Sequence, residues 1–432
     1  MTELELQSEY VMDFFCRRAD GLDFREIKNN AVSPDLFIPA NLYEFLKENS
    51  RKAWNNLLKK SEYNGDEQKL LRAIMDMIRE KIEASANVAI FLNKNRTITF
   101  EGETLQLIYV SGSELRGDED FNKNIFAAVE EMSYSFHHDA KKIFAFRPDL
   151  SFFVNGIFLG YAELKSNFTN QTAKTNGRNK IITDYLEAVW EYTKIANGND
   201  VSQTLRRRML RPFEKSIHLV TTDITDTYIL RDPGQFFDEA KRGFQDNTIS
   251  ISSFRPVVEK VFKPLPIKQV EGFEEAMRSL YSKKMIEKEI LYYNFMAYTY
   301  KTVTSVVNGH KVQKKEYKDK TGRLICPRPK QKFGCDRIME RVQEFLDHEN
   351  EPLYFINRLR AELQALNAPQ DLIDRVVAER DSYCNNKYVY SLLLQYAAGF
   401  GKSNIIGWTA LQLKDLRYKG EWVYNKILLV VD

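Results

Sequence analysis

Apolar residues recur at helical spacing from the start of the chain. Leu6, Tyr10, Val11, Phe14 and Phe15 predict a helix over Glu3–Arg18. Between residues 39 and 85 the period stays helical, with Leu42, Phe45 and Leu46 on one helix and Leu70, Leu71, Ile74, Met77 and Ile78 on another. From Asn87 the period changes. Val88–Leu92 and Thr97–Phe100 read as strands across an Asn93-Lys94-Asn95 turn, Leu105–Val110 as a further strand, and Phe121–Tyr134 as helix or strand. The densest apolar pattern lies between Phe146 and Lys165. Phe152, Phe153 and Val154 lead into Asn155-Gly156, and Ile157, Phe158, Leu159 and Tyr161 lead out. Both turn residues tolerate positive φ, which predicts a two-residue hairpin. Few polar residues interrupt its strands, so both faces are expected to be buried.

A polar stretch to Gly177 precedes a helix over Lys180–Ala196, with Ile181, Tyr185, Ala188, Val189 and Tyr192 as its core face. Ile217–Thr221 and Thr227–Leu230 predict two more strands. Lys263-Pro264-Leu265-Pro266-Ile267 reads as an extended linker. It suggests domains at 1–262 and 271–432, joined by 263–270. Phe273, Met277, Leu280 and Tyr281 predict a helix after it, and His310–Arg323 a basic, exposed segment. The expected fold class is α/β with a mixed sheet.

Composition narrows the function. A chain of 432 residues has room for two or three domains, and 43% apolar with 12% aromatic residues excludes disorder. A net charge of +3 excludes a surface that is basic throughout, so any nucleic-acid contact is local. Such an excess lies between Leu164 and Pro212, with nine Lys/Arg against four Asp/Glu and its densest part at Arg206, Arg207 and Arg208. These arginines are DNA-contacting candidates; the alternative is a solvated face. Cys16, Cys326, Cys335 and Cys384 form no CxxC pair, so neither a zinc site nor a disulfide framework is expected, and a reducing cytoplasm is. No apolar run approaches 18 residues.

Two stretches carry chemistry. Asp149, Glu163 and Lys165 sit at the ends of the apolar hairpin, Glu163 and Lys165 on one strand face. Buried charges are costly unless paired, and two carboxylates holding Mg²⁺ with a lysine beside them would meet that demand. The spacing resembles the PD-(D/E)xK nuclease motif. That resemblance gives Asp149 and Glu163 the metal, Lys165 the attacking water, and an acid from the first helix, here Glu9, a possible further ligand. The second stretch is Leu392–Ser403. A strand at Leu392–Leu394, then Gly399-x-Gly401-Lys402-Ser403, then a helix, is the order a phosphate-binding loop needs, although Tyr396 stands where the first glycine of the full pattern belongs. Lys402 would reach the ATP phosphates and Ser403 the Mg²⁺.

Gln395–Trp408 resembles motif I of the motor in type I restriction enzyme R subunits, Ile427–Asp432 their motif Ia, and Arg328-Pro329-Lys330-Gln331 their adenine-reading glutamine motif. A helical insertion from Cys335 to about Tyr383 would separate Gln331 from Lys402. Taken with the hairpin, the chain resembles the N-terminal part of such a subunit. The resemblance implies a PD-(D/E)xK endonuclease followed by the start of a RecA-like superfamily 2 helicase domain, with Mg²⁺ and ATP as cofactors. It implies double-stranded DNA and the methylation and specificity subunits as partners, and a longer protein continuing past Asp432. The family's Q-x-x-x-Y element has no match in the helix at 180–196, where Tyr185 is a candidate for its tyrosine. A catalytically silent DNA-binding or assembly module with an ATP-dependent switch is the alternative reading. An unrelated P-loop ATPase or kinase would leave the hairpin charges without a reason.

Overall fold

The computed structural model describes residues 6–111, 121–166, 170–196, 203–248, 250–260, 262–265, 272–307, 310–318, 322–383 and 393–429. The chain divides into two units between Pro329 and Lys330. At the centre of the first stands a seven-stranded sheet of β1 (Arg25–Ile27), β2 (Phe126–Glu130), β3 (Leu150–Val154), β4 (Ile157–Leu164), β5 (Leu219–Thr222), β6 (Thr227–Leu230) and β7 (Lys263–Pro264), in that spatial order. The β1–β2 and β4–β5 pairs are parallel and the others antiparallel, so the fold is mixed α/β with a mixed sheet.

The Asn155-Gly156 turn forms as expected, with φ of 48° and 77°. Asn155 is fully buried. Its side-chain amide donates to Leu107 O at 2.8 Å and to Asn124 Oδ1 at 2.9 Å, while its Oδ1 accepts from Ile125 N at 2.7 Å. Every residue of β3 and β4 is buried. Between them the register shifts: Phe152 faces Gly160 but Phe153 faces Phe158, so Leu159 is an extra residue. This bulge reverses the alternation along β4. Beyond it Tyr161 shares the face of Phe153 and Phe158, and Ala162 and Leu164 that of Phe152.

Each face has its own cover. Over Phe152 lie the N-terminal helical turns Leu6–Val11 and Asp13–Arg17, with the Phe15 ring 5.1 Å from that of Phe152. The same face packs helices α1 (Pro39–Asn49), α2 (Arg51–Leu58), α3 (Glu67–Ala84) and α4 (Val88–Lys94). Over Tyr161 lie α5 (Arg178–Ala196), α6 (Gln203–Met209) and Phe213, whose ring meets both Tyr161 and Tyr185.

Several expectations are corrected. Val88–Leu92 is helical within α4, because the Asn87 side chain caps it, accepting from Ile90 N at 2.9 Å. A short buried apolar run does not distinguish the two periods. The strand expected over Leu105–Val110 is Glu103–Gln106, pairing with Thr97–Phe100 across Glu101-Gly102, both at positive φ. Residues 263–270 are not where the chain divides. Lys263–Pro264 pairs with β6, and α7 (Gly272–Tyr281) belongs to the first unit's core, Tyr281 stacking on Phe152 at 3.8 Å; residues 266–271 lie outside the described residues. The basic segment after His310 is the exposed strand His310–Tyr317, paired with Tyr300–Val307.

The second unit contains α8 (Pro329–Asp347, from its second residue), α9 (Pro352–Ala365) and α10 (Gln370–Tyr383), the helices expected between Gln331 and the glycine loop, and α11 (Lys402–Lys414). Ile356, Ile373 and Val377 form the small core of α9 and α10. The strand expected at Leu392–Leu394 is absent at Leu393 and Leu394, and residue 392 lies outside the described residues. The expected strand from Ile427 is irregular through Leu429, with 430–432 likewise outside. Strands exist by pairing, and among this unit's described residues the only pairing joins Arg417–Tyr418 to Glu421–Trp422. The sheet expected of a RecA-like domain is not among them. No described helix is long and apolar enough to cross a membrane.

Candidate active site

At the end of β4, on the face covered by α5, five charged side chains meet. Asp149 precedes β3 and turns back, its Oδ2 accepting from Leu164 N at 2.7 Å. Glu163 is fully buried. Lys165 Nζ donates to Leu164 O at 2.7 Å and lies 3.7 Å from both Asp149 Oδ2 and Glu163 Oε2. Its backbone N donates to Thr222 O at 2.9 Å, so β5 fixes the strand end that carries it. Gly177 lets the turn before α5 approach closely: a Cβ there would lie 1.7 Å from Thr221 Oγ1 and 3.3 Å from Lys165 Cγ. The hairpin therefore brings Asp149, Glu163 and Lys165 together.

Two residues of the site escaped sequence reasoning. Lys180, in the first turn of α5, donates to both Glu163 oxygens at 2.7 Å and lies 3.9 Å from Asp149 Oδ1. One turn later on the same helix is Asp184, whose Oδ2 is buried and has no hydrogen-bond partner among the described residues. The available signal was two polar residues four apart, bordering Ile181 and Tyr185. Tyr185, the candidate for the family's tyrosine, is buried with its ring against Phe213.

Electrostatics follow from this packing. Burial, then the Asp149 carboxylate, push the Glu163 pKa up, and the Lys180 ammonium pulls it back. Burial opposes the charge of Lys180, but Glu163 and Asp149 outweigh it and hold its pKa above the ordinary lysine value. Both Glu163 oxygens accept from one ammonium at 2.7 Å, a charge-assisted geometry. Burial also raises Asp184 to about 6.

Glu9 does not join the site. It is exposed, and its helix packs through Val11, Phe14 and Phe15 on the opposite face of the sheet. No group of three or more His, Cys, Asp and Glu able to hold a metal occurs among the described residues. Asp149 and Glu163 remain as a two-carboxylate donor set. Its chemistry fits a hard divalent cation: Lys180, itself a cation, already sits against oxygens of both groups.

Arg206 is turned inward, bonded to Glu214 Oε1 at 3.1 Å with its guanidinium 3.5 Å above the Phe237 ring. Arg207 is half-buried and bonded to Gln203, and Arg208 is exposed, 3.7 Å from Glu83. The arginine run is therefore not one uniform basic face.

In the second unit Gly401 caps α11 at φ 85°, followed by Lys402 and an exposed Ser403. Lys402 Nζ donates to Tyr396 O at 3.2 Å. Gln331 lies against this loop, donating to Phe400 O at 2.6 Å, and a Cβ on Gly401 would come within 2.7 Å of its Nε2. Gly399, at φ 73°, is open to its surroundings.

A search of curated proteins finds no match for this chain. Comparison with protein families finds one over residues 2–212, described as the type I restriction enzyme R protein N terminus. The matched segment holds β1 to β4 and all five charged residues of the site. Residues 2–212 thus belong to the family of type I restriction enzyme R protein N termini.

Proposed function

We propose that the first unit is a Mg²⁺-dependent DNA endonuclease of the PD-(D/E)xK kind, acting as the restriction part of a type I R subunit. The observation that carries this reading is the convergence of Asp149, Glu163 and Lys165, with both carboxylates seated on a cation. Asp149 and Glu163 would hold the metal. When bound, Mg²⁺ supplies Lewis-acid stabilisation of the charge that builds on the scissile phosphate. Lys165 holds the attacking water and adds positive charge beside the phosphate. Leu164 O and the two carboxylates keep its ammonium in place. Double-stranded DNA is the substrate, and the methylation and specificity subunits are the partners this role requires. Arg207 and Arg208 are the members of the arginine run that remain available to the DNA backbone.

The loop at Gly399–Ser403 is proposed to bind ATP for DNA translocation. Lys402 would meet the phosphates, Ser403 the Mg²⁺, and Gln331 hold the loop from behind. The αL cap at Gly401 supports this, because it frees the first backbone N–H groups of α11 to face an anion.

The test is metal-dependent cleavage by the assembled enzyme. Glu163→Gln is expected to abolish cleavage and Mn²⁺ binding together. Lys165→Ala is expected to retain Mn²⁺ in calorimetry while single-turnover cleavage falls about 10²–10³-fold. Cleavage that survives Glu163→Gln overturns the assignment.

A further inference from the structure

We propose that Lys180 is an exchangeable counter-ion of the Asp149–Glu163 pair: a divalent cation displaces its ammonium, which then settles against Asp184. This rests on the metal-site reading above. Lys180 occupies the oxygens that a metal would need. It donates to Glu163 Oε1 and Oε2 at 2.7 Å and approaches Asp149 Oδ1 at 3.9 Å, whereas Asp149 Oδ2 is engaged by Leu164 N. A Mg²⁺ ion bonds oxygen at about 2.0–2.1 Å. Placed on these atoms it would press into the ammonium, and the two cations would repel. Lys165 is differently placed, anchored to Leu164 O and 3.7 Å from each carboxylate, so it can stay.

The displaced ammonium has a destination. Asp184 lies one turn along the same face of α5, with a buried Oδ2 that has no hydrogen-bond partner among the described residues. Lys180 is half-exposed, so its long side chain can swing without repacking the core. The exchange keeps Glu163 paired throughout, first by Lys180 and then by the metal. Lys180 is thereby a positioning residue, and the metal affinity of the site includes the cost of evicting it.

Calorimetric titration of Mn²⁺ into the full chain tests this, beside thermal unfolding without metal. Lys180→Met is expected to bind Mn²⁺ at least about tenfold more tightly, since a neighbouring positive charge is removed. It should also unfold at a lower temperature without metal, because the buried Glu163 loses the ammonium that bonds both its oxygens and keeps only Lys165, 3.7 Å from Oε2. Asp184→Asn is expected to bind several-fold more weakly, having lost the second seat. Lys180→Arg, which keeps the charge and guards against a folding defect in the Met variant, should bind no tighter than wild type. Unchanged or weaker Mn²⁺ binding in Lys180→Met overturns the exchange while leaving the metal site standing. A wild-type chain whose Mn²⁺ binding is indifferent to Glu163→Gln overturns both.

Discussion

Asp184 shows how much a single buried carboxyl can weigh. Burial raises its pKa from 3.8 to about 6, against the opposing pull of Lys180 and with reinforcement from Glu187 and Asp149; Lys165 also faces it. The unfolded chain releases this proton near pH 4 and the folded chain near pH 6, so the folded state binds more protons in between. Stability from this group is therefore full below pH 4, falls as pH rises, and levels off above about 6, a total of roughly 3 kcal/mol. Asp184→Asn is expected to remove that slope and to stabilise the first unit at pH 8, measured by urea unfolding at pH 4.5 and pH 8. A slope that persists in the variant would place the titration elsewhere. Asp184 and Lys180 were not legible as site residues for a plain reason. Asp149, Glu163 and Lys165 lie on a hairpin whose apolar letters demand an explanation for any charge, whereas a Lys and an Asp four apart on a helix resemble an ordinary solvated pair. Glu9 failed in the opposite way: helical periodicity reveals which side of a helix is apolar, but not which face of the sheet it covers.

Among elements, the β3–β4 hairpin was legible because its turn chemistry and its apolar content agree. Its bulge was missed although Gly160, a glycine inside a strand pattern beside the extra Leu159, is the signal that could have found it. The strand misassigned at Val88–Leu92 shows the limit of short apolar runs; the asparagine before it held the answer as a cap. The hairpin's precision leaves little tolerance at its turn. Gly156 has φ 77°, and a Cβ there would meet Ile38 O at 2.5 Å and Leu42 N at 2.8 Å, both backbone atoms at the start of α1. Gly156→Ala combines a left-handed backbone with a clash that no rotamer relieves, and is expected to destabilise the first unit by about 2–4 kcal/mol. Thermal unfolding measures it; a midpoint within about 2 °C of wild type, roughly the shift that 1 kcal/mol causes in a large domain, would show that the turn can move away from α1.

For the whole molecule, the family match and the folded unit have different ends. The match stops at residue 212, whereas β4 pairs with β5 through Glu163 opposite Thr221, Phe152 lies under Tyr281, and Arg231 makes a buried ion pair with Glu289. Proline content suggested a boundary at 263–270, but packing carries the unit to Pro329, because prolines mark where the backbone is extended and not where contacts cease. A fragment ending at 212 is expected to aggregate, since it turns the strand bearing Glu163 into a bare apolar edge, while one ending at 329 is expected to elute as a single species with a cooperative transition. Gel filtration and circular dichroism of the two fragments decide this; a monomeric, cooperatively melting 1–212 fragment would refute it. The Phe152–Tyr281 stack also sets a clock during synthesis. Its partners leave the ribosome more than a hundred residues apart, roughly 10 s at ordinary elongation rates. For that interval the patch of the Phe152 face that Tyr281 covers stays open on the nascent chain, although Phe15 and the helices from residues 39–94 are already made, and it is a ready substrate for chaperones that hold emerging polypeptides.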